Sequence, residues 1–434
     1  MKKIYILVFT LLSGICLGQM DPKLQATINQ QAKEMEPKLI EWRRYFHQHP
    51  ELSNREFKTG QFIADYLKSL GLEVQYPVAK TGVVGILKGA KPGPVVALRA
   101  DMDGLPVNER NSLLFASKEK SSINGIETGV MHACGHDGHM SILMGVAEIL
   151  VKNKGALKGT VKFIFQPAEE GAPASEEGGA FLMIKEGVLE NPKVDVVFGL
   201  HIQSLLPVGQ LAYRSEGLMA AVDKLDINVT GVGAHGATPW DSVDPIVVSS
   251  QIINGLQTIV SRQTELTKAA AVITIGSLHG GIRRNIIPEE VKMEGTIRTF
   301  DPEMQKKIHE KIKLTATRIA EASGASATVD IQIQYPVTYN DPKLTTLMAP
   351  SLSKVTAAEN VIVTQPVTMA EDFSFFQQKV PGFFFFLGAY PSEMKLTKRP
   401  VHHTADFMMD EKSFRTGVKA LVTLTIDYMY MTKK

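Results

Sequence analysis

A thiol, several imidazoles and paired carboxylates gather in four short segments of the chain. The stretch Met131-His132-Ala133-Cys134-Gly135-His136-Asp137-Gly138-His139 holds three histidines around one cysteine. Glu169-Glu170 follows a proline, His201 closes an apolar run, and His402-His403 lies near the C-terminus. Together these side chains are the donor set of zinc or a similar borderline divalent metal. Two such ions about 3.5 to 4 Å apart can clamp a hydrolytic water. Cys134 and His136 are two residues apart in a tight glycine-containing loop, so both can face one side. Of two adjacent glutamates, one can bind metal while the other moves a proton between water and a leaving amine. A lone cysteine is more often a buried apolar thiol and a glutamate pair more often a solvated loop. Their common surroundings reverse both readings here.

The elements that must carry these groups read as an α/β chain. Gln25–His49 and Phe57–Leu70 have helical apolar spacing. Short apolar runs at Val83–Leu87, Val95–Leu98, Val161–Phe165 and Val194–Leu200 alternate with helices at Gly138–Val151 and Gly179–Glu186. That alternation predicts a layered domain with a mostly parallel sheet buried on both sides. In such sheets the strand ends form the ligand crevice, and Asp101-Met102-Asp103, Glu169-Glu170 and His201 each follow an apolar run. Near residue 216 the texture changes. Val222–Thr230, Ala271–Leu278 and Glu290–Arg298 alternate like half-exposed strands, with helices at Pro245–Gln263 and Pro302–Ala322. The layered pattern resumes with Leu344–Lys354, the apolar Gly382–Gly388 and Glu411–Met429. The expected organisation is a catalytic domain at 19–215 and 335–434, interrupted at 216–334 by a smaller α+β lid and dimerisation domain.

Composition removes several classes. With 47 basic and 45 acidic residues in 434, the net charge of +2 gives no reason to expect nucleic acid as a partner. Two cysteines, Cys16 and Cys134, exclude a disulfide scaffold. Met1-Lys2-Lys3, the apolar Ile4–Leu12 and small residues at Cys16 and Gly18 have the layout of a secretory signal peptide over 1–18. The expectation is an exported protein, periplasmic or secreted, without a membrane span. Cleavage would leave Cys134 as the sole cysteine.

The strings Leu98-Arg99-Ala100-Asp101-Met102-Asp103, Met131–Asp137, Gln166-Pro167-Ala168-Glu169-Glu170-Gly171 and Gly199-Leu200-His201 resemble the amidohydrolase branch of metallopeptidase family twenty. That branch includes hippurate hydrolases, N-acyl-amino-acid amidohydrolases and auxin-conjugate hydrolases. The likeness continues through Gly231–Pro239, Asn285–Pro288, Gly295–Phe300 and Glu371-Asp372-Phe373. It implies two divalent metal ions (zinc, manganese, nickel or cobalt) held by Cys134, His136, Glu170, His201 and His403. His403 is preferred over His402 because the family's ligand precedes a phenylalanine by four residues, here Phe407. Glu169 would be the general base and acid, and Asp103 would orient a ligand histidine. His235 would stabilise the oxyanion, reaching a neighbouring subunit's site in a homodimer formed through the lid. Asn285 and Arg298 would hold a substrate carboxylate. The implied substrate is an N-acyl or N-aroyl amino acid or a small peptide. An N-acetyl-diaminopimelate-type deacetylase or dipeptidase shares the machinery, and a silent binding protein would have lost ligands that this chain keeps. The chain departs from the pattern at His403-Thr404-Ala405, at Ala370 and at Trp240, which bears on substrate preference.

Overall fold

The structure is a computed structural model that describes residues 20–123 and 125–431. The signal-peptide reading and Cys16 lie outside the described residues. Four long helices begin the same way, at Asp21-Pro22, Asp244-Pro245, Asp301-Pro302 and Asp341-Pro342. Each aspartate side chain accepts hydrogen bonds from first-turn amides, such as Met304 N to Asp301 and Leu344 N to Asp341. Each proline sits where no amide proton is needed, so the pair both starts and caps the helix.

The larger sheet has eight strands, in the order Glu73–Val78, Gly82–Lys88, Lys158–Gln166, Lys91–Asp101, Val196–Pro207, Gly382–Tyr390, Leu211–Tyr213 and Val361–Val363. Its centre is parallel: 91–101 pairs in parallel with 158–166 and 196–207, and 196–207 with 382–390. The margins are mixed, because 73–78, 82–88 and 211–213 each run antiparallel to a neighbour. Both faces of the centre are covered, which explains why its strands read as unbroken apolar runs. In the four-phenylalanine run, Phe383 and Phe385 enter the core under helices 22–48, 136–152 and 414–431. Phe384 and Phe386 enter the opposite core beside Ala180, Met183 and Phe373. The strand expected to finish at His201 continues to Pro207, so His201 lies within it, opposite Phe386.

A second, antiparallel sheet is built from Ala271–Gly280, Glu290–Thr299, Ala221–Thr230 and Ser326–Tyr335, in that order. The last strand is one that the sequence reading leaves unassigned. Leu225, Ile227 and Val229 alternate onto one face, where helices Pro245–Gln263 and Pro302–Ala322 cover them with Val248, Ile252, Ile308 and Ile312. Lys224, Lys292 and Thr296 lie exposed on the other face. This lid has its own core, and after Tyr335 the chain pairs Thr338–Asn340 with Glu216–Met219, the segment by which it enters the lid.

Candidate metal centre

The site forms where the parallel strands end. Gly135, with φ of +105°, turns the chain into the helix His136–Lys152 and leaves Cys134 and His136 on the sheet side. Two non-glycine residues beside the site hold left-handed backbone, Ala168 at φ +52° and His403 at φ +61°. Such strain persists only where surrounding contacts impose it. At Ala168 the contact is the amide, which donates to Glu56 Oε1 at 2.9 Å; at His403 the amide donates to the Ala133 carbonyl at 2.8 Å.

The structure brings together six of the residues named from sequence. Cys134 Sγ lies 3.4 Å from His201 Nε2 and 3.3 Å from His403 Nε2. Glu170 Oε1 is 3.0 Å from His403 Nε2, and His136 Nε2 is 3.9 Å from both Glu169 Oε2 and Glu170 Oε1. Potential donor atoms fall within 4.8 Å of one another in the overlapping groups Cys134–His136–His201, Cys134–Glu170–His403 and His136–Glu169–Glu170.

The ring nitrogens show which histidines are open. His136 Nδ1 donates to the Asp103 carbonyl at 2.8 Å, and its Nε2 is buried without a hydrogen-bond partner. His201 Nδ1 donates to the Ile202 carbonyl at 2.7 Å, leaving the Nε2 lone pair toward Cys134. His139 is closed, since Asp101 Oδ1 holds Nδ1 at 2.6 Å and Nε2 accepts from Ile202 N at 2.8 Å. His402 is closed too, between Cys134 O at 3.2 Å and Ser204 N at 3.2 Å. A buried His136 Nε2 without a hydrogen-bond partner, next to Glu170, a thiol and two more imidazoles, fits a pair of divalent cations.

Electrostatics supports the same fit. Burial, then the charges of Glu170, Glu169 and Asp101, push the Cys134 thiol well above its usual range. A cation among these donors supplies the missing positive charge and converts the thiol to a ligand. Burial, followed by repulsion from Glu371, Glu170 and Asp372, pushes the Glu169 carboxyl well above the ordinary carboxylate value. Burial opposes charge on Asp101 as well, but His136, His139 and Arg99 outweigh it and hold that carboxyl well below its usual value.

Several supporting residues carry no role in the sequence reading. Asp103 does more than orient His136: its Oδ1 and Oδ2 accept from Glu169 N at 3.1 Å and Glu170 N at 3.0 Å, and Ser53 Oγ donates to it at 2.6 Å. Tyr335, at the end of the lid, donates to the Glu169 carbonyl at 3.0 Å. Fully buried Arg99 spans Asp101 at 2.7 Å and Glu371 and Asp372 at 2.9 Å each. Residues 99 and 101 share one side by strand alternation, so part of this was legible. Nothing local marks Tyr335.

The lid residues lie apart from this cluster. His235 is exposed on a two-residue ribbon where Ala234 and His235 pair with Ile287 and Ile286, and its Nδ1 accepts from Ala237 N at 3.1 Å. Exposed Asn285 adjoins it through Gly236 N, which donates to the Asn285 carbonyl at 2.9 Å. Arg298 is half-buried, with Nη1 3.5 Å from the Thr368 carbonyl. Among the described residues no hydrogen bond or ion pair joins these three to the six clustered ones.

Paired carboxylates and a thiol–imidazole donor set at the ends of parallel strands, under a separate lid, define a metal-dependent hydrolase of amide bonds. The family is settled by comparison: the model of peptidase family M20/M25/M40 matches residues 97–427, and the chain belongs to that family. It is 42% identical to thermostable carboxypeptidase 2 of Saccharolobus solfataricus, over 91% of this chain and 96% of that one. It is 38% identical to an N-acetylcysteine deacetylase of Bacillus subtilis, over 91% and 97%. The crystal structure of the Bacillus subtilis YXEP protein, a dinuclear metal binding peptidase, superposes with a TM-score of 0.76 at 34% identity, covering 92% of this chain and all of that one.

Proposed function

We propose that the chain hydrolyses the amide of N-acyl or N-aroyl amino acids or small peptides, with Glu169 as proton carrier and Cys134, His136, Glu170, His201 and His403 holding two divalent ions. The observation that carries this reading is the convergence of those five donors within 4.8 Å in overlapping groups, with the His136 Nε2 lone pair buried and unpartnered and Glu169 beside them. Zinc, manganese, nickel and cobalt all suit a mixed thiolate, imidazole and carboxylate set. When bound, such a pair polarises the amide carbonyl and acidifies water.

The chain's own groups do the rest. Glu169 takes the proton of the attacking water on its carboxylate and delivers it to the departing amine nitrogen. Burial and the neighbouring carboxylates raise its proton affinity, so a proton once taken is held for delivery to the nitrogen. Asp103 and Tyr335 fix the Glu169 backbone so that its side chain swings little. His235 accepts at Nδ1 from an amide, so its neutral ring carries the proton on Nε2 and can donate to the oxyanion. Arg298 and Asn285 hold the substrate carboxylate, and the carboxypeptidase and deacetylase relatives support an amide next to such a group.

The separation of His235 from the cluster supports a homodimer in which the lid of one subunit completes the site of the other. The catalytic part is tested with Glu169→Gln. Metal content should match wild type while kcat falls about a thousandfold, within the range general acid–base groups contribute. Undiminished turnover in the metal-replete variant would remove Glu169 from the mechanism.

A further inference from the structure

Beside Glu170 opens a cavity of about 590 Å³. Its walls are the Leu52–Arg55 segment, Gly104–Pro106, the first strand of the hairpin Lys120–Ile123/Ile126–Gly129, and the loop that follows Glu170. Leu52, Leu105, Pro106, Ile123 and Pro173 make much of it apolar, and the Ser121 and Ser122 side chains add hydroxyls. A mostly apolar concavity with a few polar groups, next to reactive side chains, is the usual form of a ligand subsite.

The charge of this cavity tells which half of an amide it suits. Among the described residues lining it, the one cation is Arg55, and Glu176 already occupies it, with Nη2 at 2.6 Å from Oε1 and Nη1 at 3.2 Å from Oε2. The anion facing in is Glu170. A substrate carboxylate would therefore meet no free positive charge here. Arg298 in the lid is the opposite case, half-buried and without an ion pair to any described carboxylate. The uncharged half of the substrate belongs in the cavity and the charged half toward the lid. Size then narrows the occupant. An acetyl group would leave most of about 590 Å³ wetted against leucine, proline and isoleucine, whereas an aromatic or branched acyl group would displace that water. A smaller cavity of about 210 Å³, against Ile259, Lys268 and Asp301 in the lid, contains none of the site residues.

We propose that this cavity is the acyl subsite and that it selects bulky, uncharged acyl groups, aromatic or branched, over acetyl. The proposal rests on the amide-hydrolase reading above, and the hairpin strand 120–123 is its specificity element.

The test compares kcat/KM of metal-loaded wild type, Ser122→Trp and Ile123→Ala on the N-acetyl and N-benzoyl derivatives of one amino acid. Wild type should favour benzoyl at least tenfold. Ser122→Trp, which fills the cavity from the hairpin, should pull that ratio down tenfold or more, with metal content and circular dichroism as in wild type. Ile123→Ala removes a wall without adding bulk and should shift the ratio at least threefold, so the question is answered even where the tryptophan variant does not fold. A wild type that prefers acetyl, or a ratio unmoved in the folded variants, overturns the subsite. Cleavage of neither substrate by metal-loaded wild type is a different result: it overturns the amide-hydrolase reading itself, and the subsite with it.

Discussion

Arg298 illustrates how a single side chain can be read by what it lacks. Burial presses its guanidinium below its usual proton affinity, with Asp223 opposing, yet at that pressure it remains charged at any physiological pH. A half-buried guanidinium whose one hydrogen bond among the described residues is a long contact to the Thr368 carbonyl has donors to spare for a carboxylate. Arg298→Ala should therefore raise KM about ten- to a hundredfold for substrates with a free α-carboxylate, the range of one charge-assisted hydrogen-bond pair. The matching α-amides should change little, and equal losses on both would remove the role. At this scale the sequence was informative about residue types and less so about their state. The spacing around Cys134 offers His132, His136 and His139 as equals, and His402 and His403 as neighbours. What separates them is the partner of each ring nitrogen, set by carbonyls and amides far away in the chain. His139 spends both nitrogens on Asp101 and Ile202, while buried His132 has no partner at either and is pushed down to about 4 by desolvation, hence neutral.

Elements place these residues through a few fixed joints, and the joint at Tyr335 connects the two sheets. The lid strand Ser326–Tyr335 ends with its phenol on the Glu169 carbonyl, while Asp103, just past the end of strand 91–101, grips the Glu169 and Glu170 amides from the other side. Glu169 is thus held between a strand of the larger sheet and the lid. Tyr335→Phe keeps the ring and removes the hydrogen bond, so stability should fall by about 1 kcal/mol. Loosening of Glu169 should show mainly as a three- to tenfold lower kcat with KM near wild type, and a change confined to KM would argue against a positioning role. Elements with strong local signals were legible: helices 245–263 and 302–322 begin at Asp-Pro pairs, and the run at Gly382–Gly388 is apolar because both its faces are buried. Strand 326–335 alternates as strand 221–230 does, so its pattern was legible although the sequence reading left it unassigned; what the pattern does not carry is its place at the sheet edge beside 221–230. The extension of strand 196–207 past His201 was hidden because its pairing partners, such as Phe386 opposite His201, are 185 residues away in sequence.

At the scale of the molecule, the exposed ribbon that carries His235 stands apart from the clustered donors. The surface around that ribbon is unusually apolar: Ile282 is 98% exposed, Trp240 77%, and Val232 and Val247 52% each. Strand 271–280 is an outer strand of the lid sheet and leaves one edge unpaired among the described residues. A free edge flanked by apolar side chains is the surface a second copy can cover, and a two-fold arrangement would carry each ribbon toward the other subunit. Two dead variants test this without relying on a destabilising substitution. His235→Ala and Glu169→Gln should each be nearly inactive alone. Mixed in equal amounts and allowed to exchange subunits, half the dimers become hybrids, and in each hybrid one site has both groups intact. Activity should return to about a quarter of wild type if the lid acts across the two-fold axis. If His235 serves its own chain, no hybrid has a complete site and activity stays at the level of the unmixed variants, whatever the oligomeric state measured by light scattering.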